Sequence, residues 1–341
     1  MQDSMKQSNQ ENQNNNIYLS EYDKQMIEKY QSEIKGGILT IQQNPDLKSL
    51  NFINTLKINQ LQLYECKHIV PQLDSQTIKE LKTMDCKIQS VKDFQLENLE
   101  VLAIYNNQAK LESNTLAQEI VWFQKLKELT LFKYITDFSP LSQLIGLTKL
   151  NLWSCDLHCT EALRPLINLQ DLCLNCNNID ITNVQYLTNL TILQLASCNL
   201  VNVDTLRPLK KLKSLSIYNN KIVYLQPLIE LKQLSGLMAD RNKIIDTDSI
   251  QQHPNFNHFD IGVQKQPTQD ELKVANMIKD INSPITSLKQ INEKSNHIKD
   301  KNTVFRKKIT QQLQQSHNSH VQFVARVTLL FQKINVFDGC Q

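Results

Sequence analysis

Between about Gly36 and Gly262 one phrase, L-x-x-L-x-L-x-x-[N/C]-x-[I/L], recurs ten or eleven times, mostly at intervals of 20 to 22 residues. A unit this short cannot bury its own apolar face, so successive units must stack and share one elongated core. Reading the first apolar place, units begin near Gly36, Ile58, Ile78, Leu99, Leu126, Leu147, Leu169, Leu190, Leu212, Leu234 and Phe256. Strand portions stand out directly, as in Leu147-Leu150-Leu152, Leu169-Leu172-Leu174 and Leu190-Leu193-Leu195. The words Leu163-Arg164-Pro165-Leu166 and Leu206-Arg207-Pro208-Leu209 are identical and two units apart. The pattern predicts a solenoid over most of the chain.

A stack explains how 341 residues can share a core, because each coil contacts only its neighbours. The formal net charge is +3, too small to point to a nucleic-acid partner. It is unevenly spread: residues 271–341 hold 11 Lys/Arg against 5 Asp/Glu. No apolar stretch reaches the roughly 18 residues of a membrane helix. Residues 1–16 are Gln/Asn-rich without an apolar run, unlike a secretory signal. The expected setting is cytoplasmic, with a nuclear one also compatible, and not secreted.

Eight residues after each unit start lies a slot occupied by Asn44, Cys66, Cys86, Asn107, Tyr134, Cys155, Asn177, Cys198, Asn220 and Asn242. Nine of these ten are Asn or Cys, which suits a small side chain turned inward to hydrogen-bond the neighbouring coil. Four of the eight cysteines are thereby explained as ladder residues, Cys being a small, near-apolar substitute with a weak donor. Cys173 and Cys176 have redox-like spacing but fall on a repeat strand and turn, and no second pair or His completes a metal set.

The segment boundaries follow from pattern changes. Residues 1–16 are expected to be disordered, having little to bury. Residues 17–35 form a capping helix opened by Ser20 and Asp23, with Tyr22, Met26, Tyr30 and Ile34 on one face and Gly36-Gly37 at its end. The repeats occupy 36–263, with one 27-residue unit whose extra stretch holds Leu116, Ile120, Trp122 and Phe123 in a short helix on the convex side. Residues 264–268 form a linker around Pro267. Residues 269–341 form a helical region, opened by a Thr268/Glu271 capping box and continued by helices at Ser283-Pro284 and over 303–334.

Catalytic signatures are missing from the sequence. Six glycines form no phosphate-cradling loop, the seven histidines have no metal-ligand spacing, and no nucleophile elbow occurs. The chain is expected to be non-enzymatic, with no cofactor and no metal. The sharper signal is a row of side chains. Leucines at the fourth and sixth places of each unit point inward, so residues at the third, fifth and seventh places face out from the sheet. At the seventh place Tyr64, Met84, Tyr105, Phe132 and Trp153 follow one another, and Tyr218 recurs further on. Aligned large apolar groups on a soluble surface usually mark an interaction site, and Tyr and Trp are common anchors there. These six are the candidate partner-binding residues, for a protein or peptide on the concave face. Glu65, Asp85, Lys133, Asp171 and Arg241 supply polar neighbours. Cross-strand stacking that only stiffens the sheet, or a terminal segment folded over the face, would explain the same row.

The basic cluster Arg306-Lys307-Lys308, with Lys299 and Lys301, could meet a polyanion; more often such a cluster is the wet side of an amphipathic helix packing Phe305, Ile309 and Leu313. A ribonucleoprotein component binding RNA through this tail and the row is therefore the alternative reading, and tail-mediated self-association, as in a coiled coil, is a further expectation.

The 22-residue unit with its L-x-P-L-x-x-L-x-x-L ending resembles the short-repeat leucine-rich class, which includes the nuclear regulatory subunit of protein phosphatase 1 and the bacterial internalins. The whole chain also resembles the expanded leucine-rich repeat families of single-celled eukaryotes. The resemblance covers about two thirds of the chain. It implies an α/β fold: a right-handed leucine-rich repeat solenoid with a parallel concave sheet and short convex turns or 3-10 segments. An N-terminal capping helix and a C-terminal α-helical tail would flank it. It also implies a binding protein that regulates or scaffolds an intracellular enzyme.

Overall fold

The computed structural model describes residues 21–281, apart from 45–46, 48, 67–72, 87–89, 92–93, 106–114 and 133–136. The Ser20 cap, the 1–16 segment, Asn107, Tyr134, Lys133 and every expected helix beyond residue 281 lie outside the described residues, as does the basic cluster. The chain begins with α1 (Glu21–Gln31), followed by strands β1 (Ile38–Gln42), β2 (Gln60–Tyr64), β3 (Leu73–Asp74), β4 (Glu80–Met84), β5 (Phe94–Gln95) and β6 (Val101–Tyr105). Then come α2 (Thr115–Ile120), β7 (Glu128–Phe132), β8 (Lys149–Asn151), β9 (Asp171–Cys173), β10 (Ile192–Gln194) and β11 (Ser214–Ser216). Strand β12 (Gly236–Met238), α3 (Thr247–Ile250), β13 (Phe259–Asp260) and α4 (Gln269–Ile281) complete it.

Among the described residues, eleven strands form one parallel sheet in chain order, and β3 and β5 pair separately. The register is constant: Leu61 lies opposite Leu81, Leu102 opposite Leu129, Leu150 opposite Leu172, and Leu193 opposite Leu215. Strand alternation sends these leucines to one side, where they are almost fully buried in a single continuous cluster. The other side of the sheet is mostly polar or half-exposed, giving burial patterns such as Gln60–Tyr64 with Leu61 and Leu63 alone inside, although Ala103 and Cys173 are buried there.

Short 3-10 segments return the chain behind the sheet, as the proline-rich connections predict. Proline takes two places in them. Pro140 and Pro227 sit in the first turn of the 139–143 and 226–230 segments, where a missing N–H costs nothing. Pro165 and Pro208 come just after Glu161–Leu163 and Asp204–Leu206, where the segment stops.

The ladder slot works as expected. Asn177 donates to the Leu152 and Leu174 carbonyls at 2.8 Å each and accepts from the Cys155 and Leu157 N–H groups at 3.0 and 2.9 Å. Thiols substitute for the donor half: Cys198 donates to the Leu174 carbonyl at 3.2 Å and Cys86 to the Leu63 carbonyl at 3.3 Å. At the proximal end Asn44 has no preceding coil, and its amide donates to the Tyr30 hydroxyl of α1 at 2.6 Å instead. Tyr30 stacks on Phe52 at 5.7 Å, so α1 closes the stack with both an apolar face and a polar partner.

Gln264, read as linker, occupies the eleventh ladder slot: its carbonyl accepts the Ile244 N–H at 3.1 Å and its amide donates to the Ala239 carbonyl at 3.1 Å. One extra methylene lets Gln make the bonds that Asn makes elsewhere. Helix α4 does open on the predicted box, with Thr268 N–H to Glu271 Oε2 at 2.8 Å and Glu271 N–H to Thr268 Oγ1 at 3.3 Å. In the long unit, Ile120 and Phe123 enter the core beside α2, whereas Trp122 is left 68% exposed. Among the described residues no helix is long and apolar enough to cross a membrane.

Candidate functional site

The row is assembled by register. Gln42 pairs with Tyr64, Tyr64 with Met84, Met84 with Tyr105, and Tyr105 with Phe132. Trp153 lies beyond the end of β8, but the pairing of Thr130 with Asn151 carries it alongside Phe132, their ring centroids 5.4 Å apart at a 58° tilt. The Asn151 side chain accepts the Trp153 backbone N–H at 3.1 Å, an Asx-type turn where the strand ends. Five consecutive coils therefore present Tyr64, Met84, Tyr105, Phe132 and Trp153 in a column about 19 Å long, at roughly 4.8 Å per strand. Trp153 is 49% exposed and Met84 38%; the other three are half-buried against their neighbours.

The next seventh-place residue interrupts the column. Asn175 spends its side chain on its neighbours, donating to Gln194 Oε1 at 3.1 Å and accepting the Ala196 N–H at 2.7 Å. Tyr218 is therefore on the same face but separate, about 14 Å beyond Trp153 across three strand spacings. The Arg241 guanidinium lies over its ring at 5.3 Å. Five of the six candidate residues form one patch and the sixth stands alone.

Polar groups flank the patch. At the third places Lys149 meets Glu128 at 2.7 Å, and Lys82 reaches across its own strand to Glu80 at 3.3 Å. Glu128 raises the Lys149 pKa by direct hydrogen bonding. Burial pushes the Asp171 carboxyl above its ordinary value, while Lys149 pulls it down. An acid with a raised folded-state pKa opposes folding once ionised, and that penalty vanishes as pH falls below its ordinary value. Asp171→Asn is thus expected to raise the melting temperature at pH 7 by a gain that shrinks toward pH 4. A gain independent of pH would contradict this assignment.

One feature of the rim has no sequence signature. The residue between the row and the ladder slot adopts a left-handed backbone in every described unit but the last, with φ of 47° at Gln43, 54° at Glu65, 53° at Asp85, 55° at Ser154 and 58° at Arg241. That conformation turns the chain sharply out of the strand, and non-glycine residues hold it against a local steric cost. Glu65, Asp85 and Arg241, read from the sequence as polar neighbours of the row, are these turn residues.

Among the described residues no three His, Cys, Asp or Glu side chains are placed to hold a metal ion. Cys173 lies on the open side of β9 but is buried, Cys176 is an exposed left-handed turn residue, and both are free thiols. A shallow depression of about 250 Å³ lies between α2 and the 139–143 segment, away from the row. The pKa of its carboxylate, Asp137, is held below the usual range by the Ser139 hydroxyl and then by the Ser139 N–H, which donates to the carboxylate at 2.9 Å.

No family model matches the sequence, and no curated protein matches it. Solved structures do. An internalin of Listeria monocytogenes is 24% identical with a TM-score of 0.54, over 69% of this chain and 70% of that one. The mouse RP105/MD-1 complex is 20% identical with a TM-score of 0.53, over 67% of this chain and 42% of that chain. The chain therefore has the leucine-rich repeat solenoid fold, with the internalin likeness covering most of the described residues.

Proposed function

We propose that this protein is a non-enzymatic interaction module that docks a protein or peptide on the open face of its sheet. The single observation that carries the reading is the uninterrupted column from Tyr64 to Trp153. Large apolar groups on that side add nothing to the leucine core, which lies on the opposite side of the strands. Rigid aromatic side chains with little entropy to lose are effective anchors, and the flanking ion pairs can set orientation and encounter rate. A mouse solved structure of the same fold is of a complex with another protein, which agrees with such a use. The finer reading is that the partner is an intracellular enzyme held or regulated by this face.

The test is affinity capture from source-cell lysate with three full-length baits: wild type, Phe132→Glu and Met238→Glu. Met238 is 55% exposed on the same face but outside the column. A partner kept by wild type and Met238→Glu and lost by Phe132→Glu supports the column as the docking surface. Identical profiles from all three baits would refute it.

A further inference from the structure

A second exposed apolar group lies away from the open face of the sheet, on the edge where the chain leaves the 3-10 segments and enters the strands. Two places before their unit starts stand Ile145 and Ile167, 60% and 55% exposed; four places before stand Trp122 and Tyr186, also exposed. The repeat does not require apolar groups here. The isoleucine place is held by Gln124, Thr188, Lys210 and Lys232 in other units, and the Trp/Tyr place by Gln143 and Glu230. Asn168 donates to the Ile145 carbonyl and Asn189 to the Ile167 carbonyl, both at 2.9 Å, so side-chain bonds between coils hold the isoleucines in adjacent positions. From Trp122 to Tyr186 the ridge covers three coil spacings, about 15 Å.

We propose that this ridge seats the protein on an anionic lipid bilayer, independently of the docking column. The second observation is charge. Over the same coils and the next two, the places from four before to one after each unit start carry six lysines and one carboxylate, Glu230. Lys125 and Lys127 stand at one end of the apolar group, and Lys210, Lys211, Lys213 and Lys232 at the other. Lys127 is paired with Glu100 and Lys210 with Glu230. The other four make no ion pair. Lys125 and Lys211 donate to the neutral Asn98 and Asn189 side chains, at 2.6 and 2.7 Å. Within these places no carboxylate is free. Glu97 and Glu161 lie just outside them, and Glu119 is committed to the Val91 N–H at 2.7 Å. Arg164, over the Tyr186 ring at 4.5 Å, adds a further cation without a carboxylate partner.

An apolar middle with free lysines at both ends matches the layers of a bilayer interface. Trp and Tyr rings, apolar with a polar tip, sit at headgroup level, isoleucines enter the acyl boundary, and lysines meet anionic headgroups on either side. An acidic helix would need a groove for its own apolar side. Here the apolar groups project instead, and the neighbouring depression is lined largely by the polar Gln118, Asp137, Ser139 and Gln143. A fluid surface takes up such projections without a matching cavity.

Trp122 is the reporter, because Trp153→Phe leaves it as the sole tryptophan of the full chain. That chain is mixed with vesicles of phosphatidylcholine alone, or with phosphatidylserine as roughly a third of the lipid, and circular dichroism confirms that it is folded. Vesicles with phosphatidylserine should shift Trp122 emission to the blue, and acyl-brominated lipid should quench it. Salt at about 0.5 M should weaken the binding about tenfold or more. Ile145→Asp with Ile167→Asp should abolish the shift in a folded chain, since Gln124 and Lys210 hold the same place in other units. Lys211→Glu with Lys213→Glu should weaken binding about tenfold or more. A folded chain whose Trp122 emission ignores both kinds of vesicle overturns the proposal, as do double variants that bind and shift like the parent. Vesicle binding with an unshifted Trp122 also overturns it, assigning the lipid contact to the basic cluster of residues 299–308. An equal shift on polyglutamate without lipid overturns it in favour of an acidic protein partner.

Discussion

Asn220→Ala should lower the unfolding free energy of the full chain by about 3 kcal/mol or more, because five hydrogen bonds are lost where water cannot replace them. The Asn220 amide donates to the carbonyls of Leu195 at 2.8 Å, Ile217 at 2.9 Å and Tyr218 at 3.3 Å. Its carbonyl accepts the N–H groups of Cys198 at 2.9 Å and Leu200 at 3.0 Å. Each orphaned buried group costs roughly 1–3 kcal/mol, although relaxation of the coils recovers part of the sum. Asn220→Cys should cost less than half as much, since Cys198 already shows a slot thiol donating to the Leu174 and Ala196 carbonyls. Urea unfolding measures both. An alanine variant within 1 kcal/mol of wild type would show that the ladder does not bind the coils together.

The architecture was legible because a short period leaves one geometric solution. Recurring leucines gave strand positions, alternation gave their faces, and the Asn/Cys slot gave the coil-to-coil bonds, all as the strand pairings now show. The column from Tyr64 to Trp153 was legible for the same reason, as constant register turns a sequence interval into a spatial neighbour. Its end was not. Asn175 belongs to the same series of places, and only its bonds to Gln194 and Ala196 separate Tyr218 from the rest. The left-handed turns at Gln43, Glu65, Ser154 and Arg241 have no common side-chain chemistry, so no residue type announces them. Gln264 escaped notice because the slot is recognised by Asn or Cys, and the extra methylene hides an equivalent bonding pattern. The separate β3–β5 pairing arises from Leu73 and Phe94 meeting behind adjacent units, outside the repeating phrase.

The largest functional effect is expected from removing two anchors of the column together. Tyr105 and Trp153 flank Phe132 from either side, so their loss strips the centre and the most exposed end of the patch. Interface anchors of this type cost about 2 kcal/mol or more each when truncated, which for the pair is a weakening of at least about 100-fold. Their contribution to folding is much smaller. Neither is a core residue, and cross-strand pairs of this kind are worth about 0.2–1 kcal/mol.

The decisive measurement is the binding isotherm of the captured partner for the full chain carrying Tyr105→Ala and Trp153→Ala, with an unfolding curve from the same preparation. The predicted result is a Kd weaker by about 100-fold or more while the unfolding free energy stays within about 2 kcal/mol of wild type. An unchanged Kd, or a weakened one accompanied by collapse of the fold, would contradict a face built for docking.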